Sequence, residues 1–135
     1  MQNPDRLSII RQIFDAFANA GSAEPLFAAV SEDVECRLTI AEGTPLSGTF
    51  RGKQGLQRYF EIQAEIAEIQ SIEVLNFLVG GDQIAVSGRE TLRIKKTGAL
   101  CKDSDWVTLF TFRDHQIIRI LTIEETGALA DAYRS

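Results

Sequence analysis

From Ser71 to Thr126 the chain reads SIEVLNFLVGGDQIAVSGRETLRIKKTGALCKDSDWVTLFTFRDHQIIRILTIEET, a run of β-strands joined by tight turns and followed by a helix start. Period-two alternation and turn residues place strands at 71–79, 84–95, 103–113 and 116–124, separated by Gly80-Gly81-Asp82, Thr97-Gly98 and Arg113–Gln116. Two of these strands are apolar on both faces. Val107 and Leu109 oppose Trp106, and Ile117, Leu121 and Ile123 oppose Ile118 and Ile120. A sheet wetted on one side alternates more cleanly. The pattern predicts a curved antiparallel sheet with helices against one face and a second subunit, related by a two-fold axis, against the other. Gly88 marks a bulge or bend in the long strand. A positive φ is expected near Asp114 or His115, residue types that tolerate it.

The first half supplies the helices. Asn3 followed by Pro4 reads as a cap and first helical position. Leu7, Ile10, Ile13, Phe14 and Phe17 then form one apolar stripe, which Gly21 ends. Ser22 opens a shorter helix that buries Leu26, Phe27 and Val30. From Val34 the period switches to two, with Val34, Cys36, Leu38 and Ile40 on one face of a strand. A loop at Glu42–Pro45 and a short strand at 46–50 lead into a third helix, where Leu56, Tyr59, Phe60, Gln63, Ile66 and Ala67 share a face. Thr126 caps a closing helix that runs through Tyr133.

The 135 residues form one domain, 1–135, of the α+β class, with 44% apolar and 24% charged residues. A net charge of −5 disfavours nucleic acid and anionic membrane surfaces as partners. MQNPDRLSII has no basic segment followed by an apolar core, so no secretory signal is expected and the location expected is cytoplasmic. Cys36 and Cys101 read as two buried thiols, in keeping with a reducing compartment. A single histidine, placed in a turn, cannot build a metal site, and no phosphate-binding glycine loop follows a strand. No metal or organic cofactor is expected.

The segments SEDVECRLTI, PLSGTFRGKQGLQRYF, GRETLRIKKTG, DSDWVTLFTFRDHQIIRI and ETGALADAY together resemble the SnoaL-like, ketosteroid-isomerase-related branch of the nuclear-transport-factor-2-like superfamily, over about residues 4–134. The resemblance implies a cone-shaped fold whose helices close one side of a bent sheet around a pocket for a small hydrophobic molecule. Members include isomerases, cyclases, hydrolases, dehydratases and proteins without known catalysis, so the fold does not fix the function. The isomerase pattern of tyrosine, carboxylate base and protonated acid falls on Phe14, Leu38 and Thr108. The epoxide-hydrolase pattern of an arginine between two aspartates falls on Arg89, with Thr91 and Thr122 at the acids. Neither pattern keeps its carboxylates.

The expected pocket is therefore mostly apolar. Its candidate lining is Phe14 and Phe17, Leu38, Tyr59 or Phe60, Arg89 and Thr91, Trp106, Thr108 and Phe110, and Ile120 and Thr122. Arg89 is the sharpest polar candidate, since an inward guanidinium would hold a carboxylate, enolate or carbonyl oxygen. Glu90 would then face outward, and Glu124 and Glu125 would sit by the last helix as charges favoured at its N-terminus. Two functions stay open: a non-catalytic module binding a small hydrophobic molecule, and a cofactor-independent isomerase, cyclase or dehydratase acting on a hydrophobic carbonyl compound. Absent carboxylates favour the first. A buried Arg89 or Glu90 with a shifted pKa beside an open cavity would favour the second.

Overall fold

Asp5 takes the Ser8 amide proton at 2.8 Å and caps the first helix, α1 (Arg6–Ala20). The cap thus lies two residues beyond the Asn3 expected from sequence, because the Asp5 side chain reaches an amide that no helical carbonyl can satisfy. A computed structural model describes residues 5–39 and 48–124, so Asn3, Pro4, the 42–45 loop and the helix expected after Thr126 lie outside the described residues. Gly21 closes α1 at φ 60°, a left-handed conformation that costs glycine no Cβ clash. The Ser22 hydroxyl then accepts the Glu24 amide at 3.2 Å and starts α2 (Glu24–Ala29). Ile10, Ile13 and Phe14 are the buried edge of the α1 stripe.

Strand β1 (Val30–Leu38) follows α2 directly, four residues earlier than the alternation from Val34 suggested. Next come β2 (Gly48–Arg51), α3 (Gly52–Ile66), β3 (Ala67–Gly80), β4 (Gln83–Ile94), β5 (Leu100–Arg113) and β6 (Gln116–Glu124). The six strands form one curved, open sheet in the order β2-β1-β6-β5-β4-β3. Neighbours are antiparallel except β1 and β6, which pair in parallel from Val30↔Ile117 to Leu38↔Thr122. The strands from β3 to β6 pair antiparallel as expected, and the parallel pair joins the first strand to the last. The two strands are joined through the whole remainder of the fold, and only hairpin connections force opposed directions. Helices α1 and α3 pack on the sheet and close its concave side.

Two of the register shifts in the sheet shape its faces. The pairing of β3 with β4 shifts between Val74 and Asn76, opposite Gly88. A Cβ on Gly88 would collide with the Glu73 carbonyl oxygen and the Trp106 ring, so the bend expected there is a close approach that only glycine allows. The pairing of β5 with β6 shifts between Thr111 and Phe112. That bulge turns Ile117 inward beside Ile120 rather than outward with Leu121, as strict alternation had it. The β5–β6 turn places Asp114 at φ 56° and leaves His115 exposed, as its residue types suggested. Arg6 ties α1 to both hairpin ends, donating to the Asp114 carbonyl at 2.8 Å and to Asp82 at 3.0 Å. Cys36 and Cys101 are both buried thiols. No helix among the described residues is long and apolar enough to cross a membrane.

Candidate active site

Between the helices and the concave sheet face lies a cavity of about 520 Å³. Its apolar wall is aromatic. Phe14 of α1 stacks on Trp106 of β5 with centroids 5.5 Å apart and planes 11° from parallel. Phe110, two rungs along β5, meets Phe14 edge-on at 6.0 Å. Phe17 packs on Phe60 at 5.9 Å, and Phe60 on Tyr59 at 5.0 Å. These contacts tie α1 to β5 and to α3. Strand alternation turns Trp106, Thr108 and Phe110 inward together, as their spacing predicts.

Two carboxylates break the apolar wall. On β4 the inward positions are Ile84, Val86, Gly88, Glu90, Leu92 and Ile94, so the hydrophobic alternation carries Glu90 inside with them. On β6 the positions that bring Ile120 and Thr122 to the cavity bring Glu124 as well. Glu90 is only 8% exposed. Burial, reinforced by the negative charge and hydrogen bond of Glu124, pushes the Glu90 carboxyl up to about 8. Burial likewise pushes Glu124 up to about 7, against the lowering effect of its hydrogen bond with Glu90. Both carboxyls are held above the ordinary carboxylate range, because two neighbouring bare charges in a poorly solvated wall are costly to desolvate. Tyr59 stands beside them. Burial first, then the charges of Glu124, Cys36 and Glu90, hold its phenol well above the usual range, so it stays a hydrogen-bond donor. The Cys36 thiol in the same wall is pushed up to about 12 by burial and is not a nucleophile at neutral pH. Thr108 and Thr122 face each other across β5 and β6 with their hydroxyls 3.1 Å apart. Among the described residues no Lys, Arg or His lines the cavity, and no three His, Cys, Asp or Glu side chains converge on one point.

A profile of the SnoaL-like domain matches residues 10–120. The chain belongs to the SnoaL-like family. An NTF2-like protein of Burkholderia xenovorans LB400 is 30% identical to this SnoaL-like chain, covers 95% of each chain and superposes with a TM-score of 0.81. The protein TerC, crystallised with polyporic acid, is 21% identical, with 96% of this chain and 98% of its own covered and a TM-score of 0.80. A candidate SnoaL-like polyketide cyclase of Mesorhizobium loti is 19% identical, with 88% and 98% covered and a TM-score of 0.75. The last two likenesses establish the fold alone. No curated protein matches the chain.

Of the residues expected to line the pocket, Phe14, Phe17, Tyr59, Phe60, Trp106, Thr108, Phe110, Ile120 and Thr122 of this SnoaL-like chain do meet at the cavity. Three do not. Arg89 points to the outer face, half exposed, and pairs with Asp105 at 3.2 Å. Thr91, on the same outward alternation, accepts the Asp103 amide at 3.1 Å. Leu38 is buried in the core at 3% exposure without reaching the cavity wall, which Cys36 forms two residues earlier on β1. The expected arrangement of Arg89 inward and Glu90 outward is thus reversed. Four apolar residues of one parity on β4, Ile84, Val86, Leu92 and Ile94, outweigh a motif match. Glu124, read as a helix-entry charge, is instead the second carboxyl of the site.

The pair has a thermodynamic signature. A carboxyl whose pKa is raised on folding stabilises the fold fully below its unfolded value, and that contribution is lost as pH rises through the folded value. Stability is therefore expected to fall as pH rises from about 4.5 to about 8. Urea unfolding across that range measures it, and Glu90→Gln should flatten the fall. Stability that climbs over the same window would contradict the pairing.

Proposed function

We propose that this SnoaL-like chain is a cofactor-independent acid–base enzyme of the isomerase, cyclase or dehydratase kind, binding an uncharged hydrophobic carbonyl compound in the cone. The two carboxyls of Glu90 and Glu124, brought to one cavity wall and raised by burial, carry the reading. An ionised carboxylate accepts a proton from the carbon beside the carbonyl, and its electron pair moves onto the carbonyl oxygen. Tyr59, still protonated, donates to that oxygen as its charge grows. The carboxyl then returns the proton to another atom of the substrate, which balances an isomerisation without any other reactant. A wall with two carboxyls and, among the described residues, no cation repels anionic ligands, and the stacked aromatics favour a flat hydrophobic body. The polyporic acid complex of TerC supports reading the cone as a place for an organic small molecule.

The test is exchange of the α-protons of 2-tetralone in D2O, followed by NMR. Wild-type protein is expected to accelerate exchange well beyond buffer. Binding of 2-tetralone without any acceleration would remove the catalytic reading and leave a carrier.

We also propose a homodimer through the outer sheet face. Hydrogen-bonded register aligns Ala85, Leu109 and Leu121 in one row, and Ser87, Val107 and Ile123 in the next. Val107 is 38% and Ile123 47% exposed in the single chain, an apolar stripe that a two-fold mate of the same sheet would cover. Sedimentation is expected to give a dimer at micromolar concentration and a monomer for Val107→Glu. A monomeric wild type would sink the proposal.

A further inference from the structure

Among the described residues the threonine rung is the one hydroxyl pair in the cavity wall. Along β5 and β6 the inward rungs run Trp106–Glu124, Thr108–Thr122 and Phe110–Ile120. The two hydroxyls therefore sit between the carboxyl end of the cavity and a purely apolar rung. Valine would fill the same space without the hydroxyl, and its neighbours on these strands are Val86 and Ile120. Among the described residues each hydroxyl has the other as its side-chain partner, at 3.1 Å. Two hydroxyls hold two protons, and the bond between them uses one. The second proton remains as a donor at the wall of a cavity otherwise aromatic or aliphatic along this strand. Thr122 and Glu124 are two residues apart on one face, a step of about 7 Å along the strand.

We infer that Thr108 and Thr122 are specificity-determining residues that hold a second oxygen of the substrate, set one rung away from the carbonyl end that meets Glu124, Glu90 and Tyr59. The ligand class is an uncharged cyclic or aromatic compound with oxygen functions at two ends. This rests on the reading of the cone as a substrate site, and adds which substrates it selects. A site built to hydrogen-bond an oxygen discriminates against a compound lacking it more sharply than an apolar wall detects extra bulk. Removing the hydroxyls reverses the preference, since a buried ligand oxygen without a partner is penalised.

Isothermal titration calorimetry with 2-tetralone and 6-hydroxy-2-tetralone tests the inference. These probes differ only by a hydroxyl at the end remote from the ketone. Wild type is expected to bind the hydroxylated probe roughly tenfold more tightly, an ordinary yield for one well-placed hydrogen bond. Thr108→Val and Thr122→Val, each checked for an unchanged unfolding midpoint, should erase or invert that ratio, read from the two dissociation constants of the same variant. Should either variant fail to fold, Thr108→Ser and Thr122→Ser keep the hydroxyl and should keep the preference. Equal wild-type binding of the two probes, or a preference that survives both valine variants, overturns the rung. Loss of α-proton exchange with the binding preference intact overturns the catalytic reading alone. If neither probe binds, the cone is not a site for such compounds and both readings fall.

Discussion

Glu90→Gln is expected to slow α-proton exchange by about 10²- to 10⁴-fold, the usual worth of a placed general base. Glutamine keeps the shape and hydrogen-bonding ends of glutamate but cannot accept the proton. The loss should appear in kcat rather than in binding of 2-tetralone, because the aromatic wall that holds the ring is untouched. Glu124→Gln should have an effect of similar size, since each carboxyl sets the protonation of the other. In wild type the rate should change across roughly pH 7 to 8, where the pair ionises, and that limb should vanish in either variant. Arg89→Ala is the matching control. Its side chain lies outside the cone in an exposed pair with Asp105, so exchange should stay within about twofold, as for surface ion pairs of small worth. A folded Glu90→Gln protein exchanging protons at the wild-type rate would remove the pair from the chemistry.

Gly88→Ala is expected to destabilise the fold by about 3 kcal/mol or more, at the upper end for overpacking. An added methyl meets the Glu73 carbonyl oxygen on one side and the Trp106 indole on the other. The carbonyl belongs to a paired strand, and the indole is stacked on Phe14 at 5.5 Å, so neither retreats without unmaking something else. Urea denaturation measures the change. The same variant should disturb the fluorescence of Trp106, the only tryptophan in the chain. A loss under about 0.5 kcal/mol, the scale of a neutral surface substitution, would show that β3 can move away freely.

Alternation and turn chemistry carried most of the architecture. Leu7 to Phe17 announced α1, Trp106 to Phe110 announced the inner face of β5, and Asp114 announced its turn. The parallel pairing of β1 with β6 left no mark, because strand direction depends on connections made far away in the chain. The aromatic lining was legible for the same reason as the sheet. The carboxyls were not, although the signal was present. Ile84, Val86, Leu92 and Ile94 fix the parity of β4 and place Glu90 with them. Matching Arg89 to a relative's arginine overrode that parity. On β6 a bulge and apolar residues of both parities blur the pattern, but Thr122 inside implies Glu124 inside. Raised pKa values were beyond reach in principle, since they arise from burial under the helices and, for Glu90, from a second carboxyl carried two strands away.

The parallel seam also orders the events of folding. β3 to β6 are sequential hairpin neighbours and zip locally, whereas Cys36 finds Ile120 only across almost the whole chain. Contacts of that span return their energy after the loop between them has been ordered. The hairpin array is thus the early scaffold, and the seam between the first strand and the last is the late closure. Glu124 lies at the far end of that last strand, so the paired carboxyls come under the helices as the cone shuts. In a chain without that closure the two glutamates stand on the open sheet in water, and only the covered cone supplies the burial that raises their pKa values.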